Sequence, residues 1–232
     1  MLEHHYADAL LRGERYDEAI DLAQAAVDRY RAHPEWSPHE AAHALKVLVE
    51  ALHGAGREAE ALEVEWEWIL LKRELSDTRS ADMASALATF GAEALAAGDR
   101  ALLERTEQAL RDCIEIRQAV LPDGHPQVWQ RYNAMSMLGE VLVRQAADPT
   151  LELAARTVKL REAEPLLLDA WKRLKEDPNV PLAAATGGTS RRQAALERIV
   201  KLYDAWHAVE PDVGHDANAT KWRAELEKLP RS

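Results

Sequence analysis

A glutamate followed by an alanine recurs early in three amphipathic stretches of the chain, at residues 18–19, 60–61 and 162–163. Where two helices cross closely, the contact needs a small residue, because two backbones cannot approach over a large side chain. A small residue that recurs once per helix pair is typical of stacked helix-turn-helix arrays. We therefore predict an all-α fold, a right-handed α-solenoid of about five helical hairpins.

The composition and the apolar spacing also favour helices. Ala, Leu, Glu and Arg are abundant, and apolar residues recur at helical spacing between turn residues. We predict one superhelical domain over residues 1–232 that carries insertions at residues 146–159 and 177–189. Its helical hairpins are expected over residues 2–32, 37–75, 80–120, 126–176 and 190–229.

Local signals fix some helix starts and the crossing positions. Ser37 and Glu40 have the spacing of a capping box, and Ser190 and Gln193 repeat it. One residue of each hairpin is assigned to the helix crossing, and these positions are Ala19, Ala61, Thr106, Ala163 and Ala219.

Several segments resemble a known repeat family. The sequence Leu-Pro-Asp-Gly-His-Pro at residues 121–126, after the helical residues 113–117, is similar to the inter-repeat segment of kinesin-light-chain-like tetratricopeptide repeats (TPRs). The chain also resembles the C-terminal TPR array of many bacterial serine/threonine protein kinases, at residues 129–139, 161–168, 194–206 and 221–226. The resemblance implies a TPR array and a role as the regulatory tail of a signalling kinase.

The sequence lacks the motifs of the kinase domain itself. A glycine-rich phosphate loop, a Val-Ala-Ile-Lys strand, a His-Arg-Asp loop and Asp-Phe-Gly are absent, and each carries a needed part of phosphoryl transfer. We therefore predict a non-catalytic interaction module that binds a peptide or protein segment in its concave groove. Whether the chain is a fragment of a longer kinase-containing protein stays open.

Charge and cysteine content exclude several partners. A formal net charge of −11 opposes binding to phosphate backbones, so no nucleic-acid partner is expected. Cys113 is the single cysteine, which rules out an internal disulfide and favours a reducing compartment. No apolar stretch approaches the roughly 20 residues of a membrane span. We predict a cytoplasmic protein without a membrane partner or a cofactor.

Residues 39–43, His-Glu-Ala-Ala-His, match the H-E-x-x-H motif of zinc hydrolases. In that motif two histidines one helical turn apart bind zinc, and the glutamate activates water. Here Glu40 already serves the predicted capping box, and no third histidine follows at the metzincin spacing. A zinc-dependent hydrolase is therefore an alternative, as is a self-assembling structural solenoid, and no catalytic or metal-binding residue is predicted.

The TPR resemblance implies that the first helix of each hairpin lines the groove. In the third hairpin this register indicates Ser85, Ala88 and Ala92. Trp66 and Trp68 are two residues apart and cannot face one core, so one of them is available to a partner or a second copy. The acidic groove and net charge favour a basic or amphipathic protein segment as partner. The predicted partner-binding residues are His43, Lys46, Glu50, His53, Asn133, Ser136, Glu140 and Arg144.

Overall fold

The computed structural model describes residues 2–33, 35, 37–75, 79–181 and 189–229. Within these ranges the backbone forms ten α-helices and two 3₁₀ turns, and no described residue lies in a strand. The 3₁₀ turns are Arg100–Leu102 and Pro211–Val213. The α-helices are α1 (Leu2–Arg12), α2 (Tyr16–Ala32), α3 (Pro38–Gly54), α4 (Glu58–Leu75), α5 (Ala81–Ala97), α6 (Leu103–Val120), α7 (Trp129–Ala146), α8 (Leu153–Glu176), α9 (Arg191–Val209) and α10 (His215–Glu227).

The chain divides into two compact units, Met1–Ala97 with α1–α5 and Gly98–Ser232 with α6–α10. Inside each unit every helix packs against the next one in sequence, because the short connections keep consecutive helices adjacent. Alternate helices also touch, since α1 packs on α3 and α7 packs on α9. The arrangement of one superhelical domain over the whole chain stays a prediction.

The small residues assigned to the helix crossings are all buried. Ala19, Ala61, Ala163 and Ala219 have no exposed surface, and Thr106 is 1% exposed. Thr106 fits because its hydroxyl donates a hydrogen bond to the Leu102 carbonyl of the preceding turn, at 2.7 Å. Their burial is what the assignment to helix crossings requires, and the assignment itself stays a prediction.

Helix α8 begins earlier than the sequence predicts. Its first residue is Leu153, inside the segment 146–159 that was predicted as an insertion. Leu153 and Val158 on this first stretch are exposed, so the residues lack the buried stripe by which a helix is recognised from sequence. Residues 182–188 of the second predicted insertion lie outside the described residues.

The two predicted capping boxes have different outcomes. Ser190 accepts a hydrogen bond from the Gln193 backbone N–H at 3.2 Å, which confirms this cap. The Ser37 side chain makes no capping hydrogen bond, so that prediction is wrong. The Glu40 carboxylate of α3 accepts a hydrogen bond from the Tyr30 hydroxyl of α2 at 3.1 Å. Glu40 therefore joins α3 to α2.

Candidate functional site

A cavity of about 270 Å³ lies between α3 and α5 in the first unit, and we call it the α3–α5 cleft. It exists because α3 and α5 pack less closely than α1 and α3 do, which leaves α4 as its base. Its lining comprises Lys46, Val49, Glu50 and His53 from α3, Glu65 and Trp68 from α4, and Ala86, Thr89 and Glu93 from α5.

The mouth of the cleft is acidic and amphipathic. The side chain of Glu50 is 53% exposed, and Lys46 pairs with it at 3.6 Å as expected for residues one helical turn apart. Trp68 is half-buried and lines the cleft, with the Lys72 ammonium 4.8 Å from its ring centroid. Val49 and Ala86 supply apolar lining beside these charges.

The two neighbouring tryptophans of α4 are both half-buried and have different neighbours. Trp66 packs against Phe90 of α5, with ring centroids 5.2 Å apart, and so joins α4 to α5. Trp68, two residues further along the helix, lines the cleft instead. An aromatic face is therefore part of the cleft surface.

Three groups with metal-ligating atoms meet at the base of the cleft. One ligating atom each from His53, Glu65 and Glu93 lies within 4.8 Å of the other two. His53 is oriented by Glu58, whose Oε2 lies 2.6 Å from Nδ1. Gly56 makes this possible, because its φ of 72° closes the tight turn between α3 and α4.

Glu65 is the most deeply buried charged group of the cleft. It is 4% exposed, and its Oε2 has no hydrogen-bond partner. Burial, together with the adjacent Glu93 carboxylate, raises the pKa of Glu65 well above its usual range. The base of the cleft thus holds two carboxyl groups close together, and His53 Nε2 lies 3.4 Å from Glu93 Oε2.

Comparison with solved structures relates the whole chain to TPR-like repeats. The crystal structure of the Podosopora anserina putative kinesin light chain with nearly identical TPR-like repeats matches with a TM-score of 0.53 and 14% identity, covering 98% of this chain and 96% of that one. A second crystal structure of the same protein, a variant with one substitution, matches with a TM-score of 0.54 and 14% identity, over 98% and 95% of the two chains. The chain has a TPR-like helical-repeat fold.

The predicted all-α, TPR-like architecture is thereby confirmed. No family model matches the sequence, and no curated protein matches it either. Each described helix is too short or too polar to cross a membrane.

In the first compact unit the structure brings together three of the four residues that were predicted there to line the groove. Lys46, Glu50 and His53 follow one another at helical spacing along one side of α3 and all line the cleft. His43 is exposed and does not line it. Their role in binding a partner stays a prediction.

On α5 the sequence register is shifted by one residue. The predicted positions were Ser85, Ala88 and Ala92, whereas the cleft is lined by Ala86, Thr89 and Glu93. Because α5 is rich in small residues all round, its sequence offers little contrast between faces.

Sequence analysis also missed Glu65, although a signal was present. Glu65 lies one helical turn from each of the buried residues Ala61 and Ile69, so a carboxylate interrupts the apolar stripe of α4. A charged residue at such a position is rarely buried without a partner or a function.

In the second compact unit the four residues predicted to bind a partner lie on α7, and two of them are buried against α9. Glu140 contacts Arg198 at 2.6 Å, Arg144 at 2.7 Å and Lys201 at 3.1 Å. Ser136 accepts a hydrogen bond from Arg198 at 3.2 Å. Ser136 and Glu140 therefore join α7 to α9, while Asn133 and Arg144 are half-buried.

The charges around Glu140 control its ionisation. Burial acts to raise its pKa, but Arg198, Lys201 and Arg144 outweigh burial and lower the pKa to about 2. Glu140 is thus ionised at neutral pH and is the buried centre of an ionic cluster whose cationic side chains reach toward solvent.

The zinc-hydrolase alternative gains no support from the TPR-like fold. His39 and His43 are exposed at the start of α3, and Glu40 accepts the Tyr30 hydrogen bond. Within the described part of the chain, the one cluster of three ligating side chains is His53, Glu65 and Glu93, which lies elsewhere. Cys113 is buried, which raises the pKa of its thiol to about 11 and makes it a poor nucleophile.

Proposed function

We propose that this chain is a non-catalytic protein-interaction scaffold that binds a basic or amphipathic segment of another protein in the α3–α5 cleft. The observation that carries the proposal is the lining of the cleft, where carboxylates surround a tryptophan face in a TPR-like fold. Helical-repeat folds present extended surfaces built for partner recognition.

The size of the cleft suits an anchoring side chain. Its volume of about 270 Å³ lies just below the range of about 300–1,000 Å³ that is typical of small-molecule sites. A lysine or arginine side chain can place its apolar stem against Val49 and Ala86 and its charge near Glu50. Trp68, which already has the Lys72 ammonium 4.8 Å from its ring centroid, would add apolar contact.

The charge of the whole molecule supports the same partner. The net charge of −11 attracts basic segments over distances of about the Debye length and speeds their association. A regulatory role within a bacterial signalling kinase and a cytoplasmic location rest on the sequence alone. The reading frame that encodes the chain would test that part of the proposal, because a kinase domain in the same frame is expected.

Fluorescence anisotropy with a labelled amphipathic peptide of lysine and leucine tests the binding proposal directly. We expect saturable binding, and we expect Trp68→Ala and Glu50→Lys each to weaken it at least about tenfold, as for interface hot spots. A peptide with glutamate in place of lysine should not bind.

Glu104→Lys is the matched control, because Glu104 is exposed on α6 in the other unit and the substitution changes net charge equally. If Glu104→Lys weakens binding as much as Glu50→Lys, the attraction is non-specific and the cleft is not the site. Absence of saturable binding to the basic peptide would contradict the proposed partner class.

A further inference from the structure

The base of the α3–α5 cleft has the donor set of a transition-metal site. An imidazole nitrogen and carboxylate oxygens are ligands that Zn²⁺ and neighbouring divalent ions accept, whereas Mg²⁺ and Ca²⁺ prefer oxygen donors alone. His53, Glu65 and Glu93 come from three successive helices, α3, α4 and α5. An ion held by all three would therefore join three helices of the unit.

The distances between the donors are close to those that a small ion requires. Two ligands at about 2.0–2.1 Å from a tetrahedral zinc ion lie about 3.4 Å apart. His53 Nε2 and Glu93 Oε2 are 3.4 Å apart, and the ligating atoms of all three residues fall within 4.8 Å.

His53 is held in the orientation that metal-binding histidines adopt. When Nδ1 carries the proton it donates to Glu58 Oε2, 2.6 Å away, and the lone pair of Nε2 points to the Glu93 carboxylate. A carboxylate that accepts from the second ring nitrogen is the usual outer partner of a metal-bound histidine. The turn between α3 and α4 thus supplies the ligand and its orienting group.

The buried carboxylate oxygens lack the partners that they need. Glu65 Oε2 and Glu93 Oε2 are both buried without a hydrogen-bond partner, and Glu65 as a whole is 4% exposed. Buried polar groups are almost always paired, and a buried charge is costly without a counterion. A divalent cation among these donors would satisfy both oxygens and favour the ionised form of both carboxyl groups.

We propose that His53, Glu65 and Glu93 bind one divalent transition-metal ion of the Zn²⁺ class, with Glu58 as the positioning residue for His53. This site is separate from the proposed binding of a protein segment, because an ion can bind there without a segment in the cleft. Three protein ligands leave a coordination position for water or for a partner's side chain.

Isothermal titration of ZnCl₂ into the chelator-treated full chain tests the site. We expect one Zn²⁺ per chain, no comparable binding of Mg²⁺, and a raised melting midpoint with Zn²⁺. Co²⁺ in place of Zn²⁺ should give the intense visible absorption of a low-coordinate site with a nitrogen ligand.

Variants assign the ion to its ligands. We expect His53→Ala, Glu65→Gln and Glu93→Gln each to weaken Zn²⁺ binding more than about tenfold, and Glu58→Gln to weaken it about tenfold while leaving the stoichiometry unchanged. Circular dichroism verifies that each variant is helical. Glu93→Gln is informative even if Glu65→Gln fails to fold, because the Glu93 side chain is 39% exposed.

Two controls separate this site from other sources of metal binding. His43→Ala removes an exposed histidine from the same helix as His53, and Glu74→Gln removes an exposed carboxylate from α4 outside the cleft lining. Both should bind Zn²⁺ as the unaltered chain does. The proposal is overturned if the chain takes up no stoichiometric Zn²⁺, or if His43→Ala loses as much affinity as His53→Ala.

The outcome is independent of the proposed function. Peptide binding measured in excess chelator tests the scaffold role without the ion, while Zn²⁺ titration without peptide tests the ion alone. Failure of either experiment leaves the other result standing.

Discussion

Two buried glutamates occupy opposite environments in the two units. Glu140 lies among Arg144, Arg198 and Lys201, so its charge is compensated on several sides. Glu65 lies beside Glu93, so its charge meets another carboxylate. The first arrangement stabilises helix packing, whereas the second is unfavourable for folding unless a cation binds there, as proposed above.

Glu140→Gln should destabilise the second unit by about 3 kcal/mol at neutral pH, because it leaves Arg198, whose side chain is only 14% exposed, without its carboxylate. The measurement is urea denaturation of both proteins at pH 7. Glu162→Gln is the control, since the Glu162–Arg111 pair is about two-fifths exposed, and it should cost less than about 1 kcal/mol.

The pH dependence of that difference follows from the lowered pKa of Glu140. Folding favours its ionised form, so the contribution is complete above its ordinary pKa of 4.5 and is lost as pH falls toward about 2. The difference in unfolding free energy between the unaltered protein and Glu140→Gln should therefore shrink as the pH falls from 4.5 to about 2. A constant difference down to pH 2 would mean that the carboxylate is not stabilised by its charge.

At the scale of the helix, sequence reasoning located elements better than it located faces. The hairpins predicted over residues 2–32 and 37–75 match the outer ends of α1–α2 and α3–α4 within one residue, because apolar spacing and turn residues are local signals. The lining of the cleft depends on how three helices are rotated against one another. Glu65 and Glu93 belong to different helices, so their proximity is not visible in either segment alone.

Tryptophan substitution tests the helix crossings. Ala61→Trp and Ala163→Trp should destabilise the chain by about 1–3 kcal/mol or more, because both alanines are completely buried and the added ring overpacks the contact. Thermal melting measures the effect.

Exposed alanines of the same helices provide the controls. Ala59→Trp on α4 and Ala155→Trp on α8 should leave the melting midpoint nearly unchanged. Equal melting midpoints for Ala61→Trp and Ala59→Trp would show that the assigned crossing register is wrong.

At the scale of the molecule, the acidic surface bears on self-association. Stacked copies of a chain with a net charge of −11 repel each other, so we expect no assembly through the ends of the repeat array. Light scattering over a dilution series should give a constant mass near 26.0 kDa. A mass that rises with concentration would favour the self-assembling alternative.

Site-specific photo-crosslinking in a native lysate tests the scaffold role most directly. A photoreactive residue in place of Thr89, at the exposed edge of the cleft, should capture a protein segment rich in lysine or arginine. The same residue in place of Asp21, exposed on α2, should not capture it, and Trp68→Ala should abolish the Thr89 product. Equal capture at both positions, or capture of an acidic segment at Thr89, would contradict a cleft built for a basic partner.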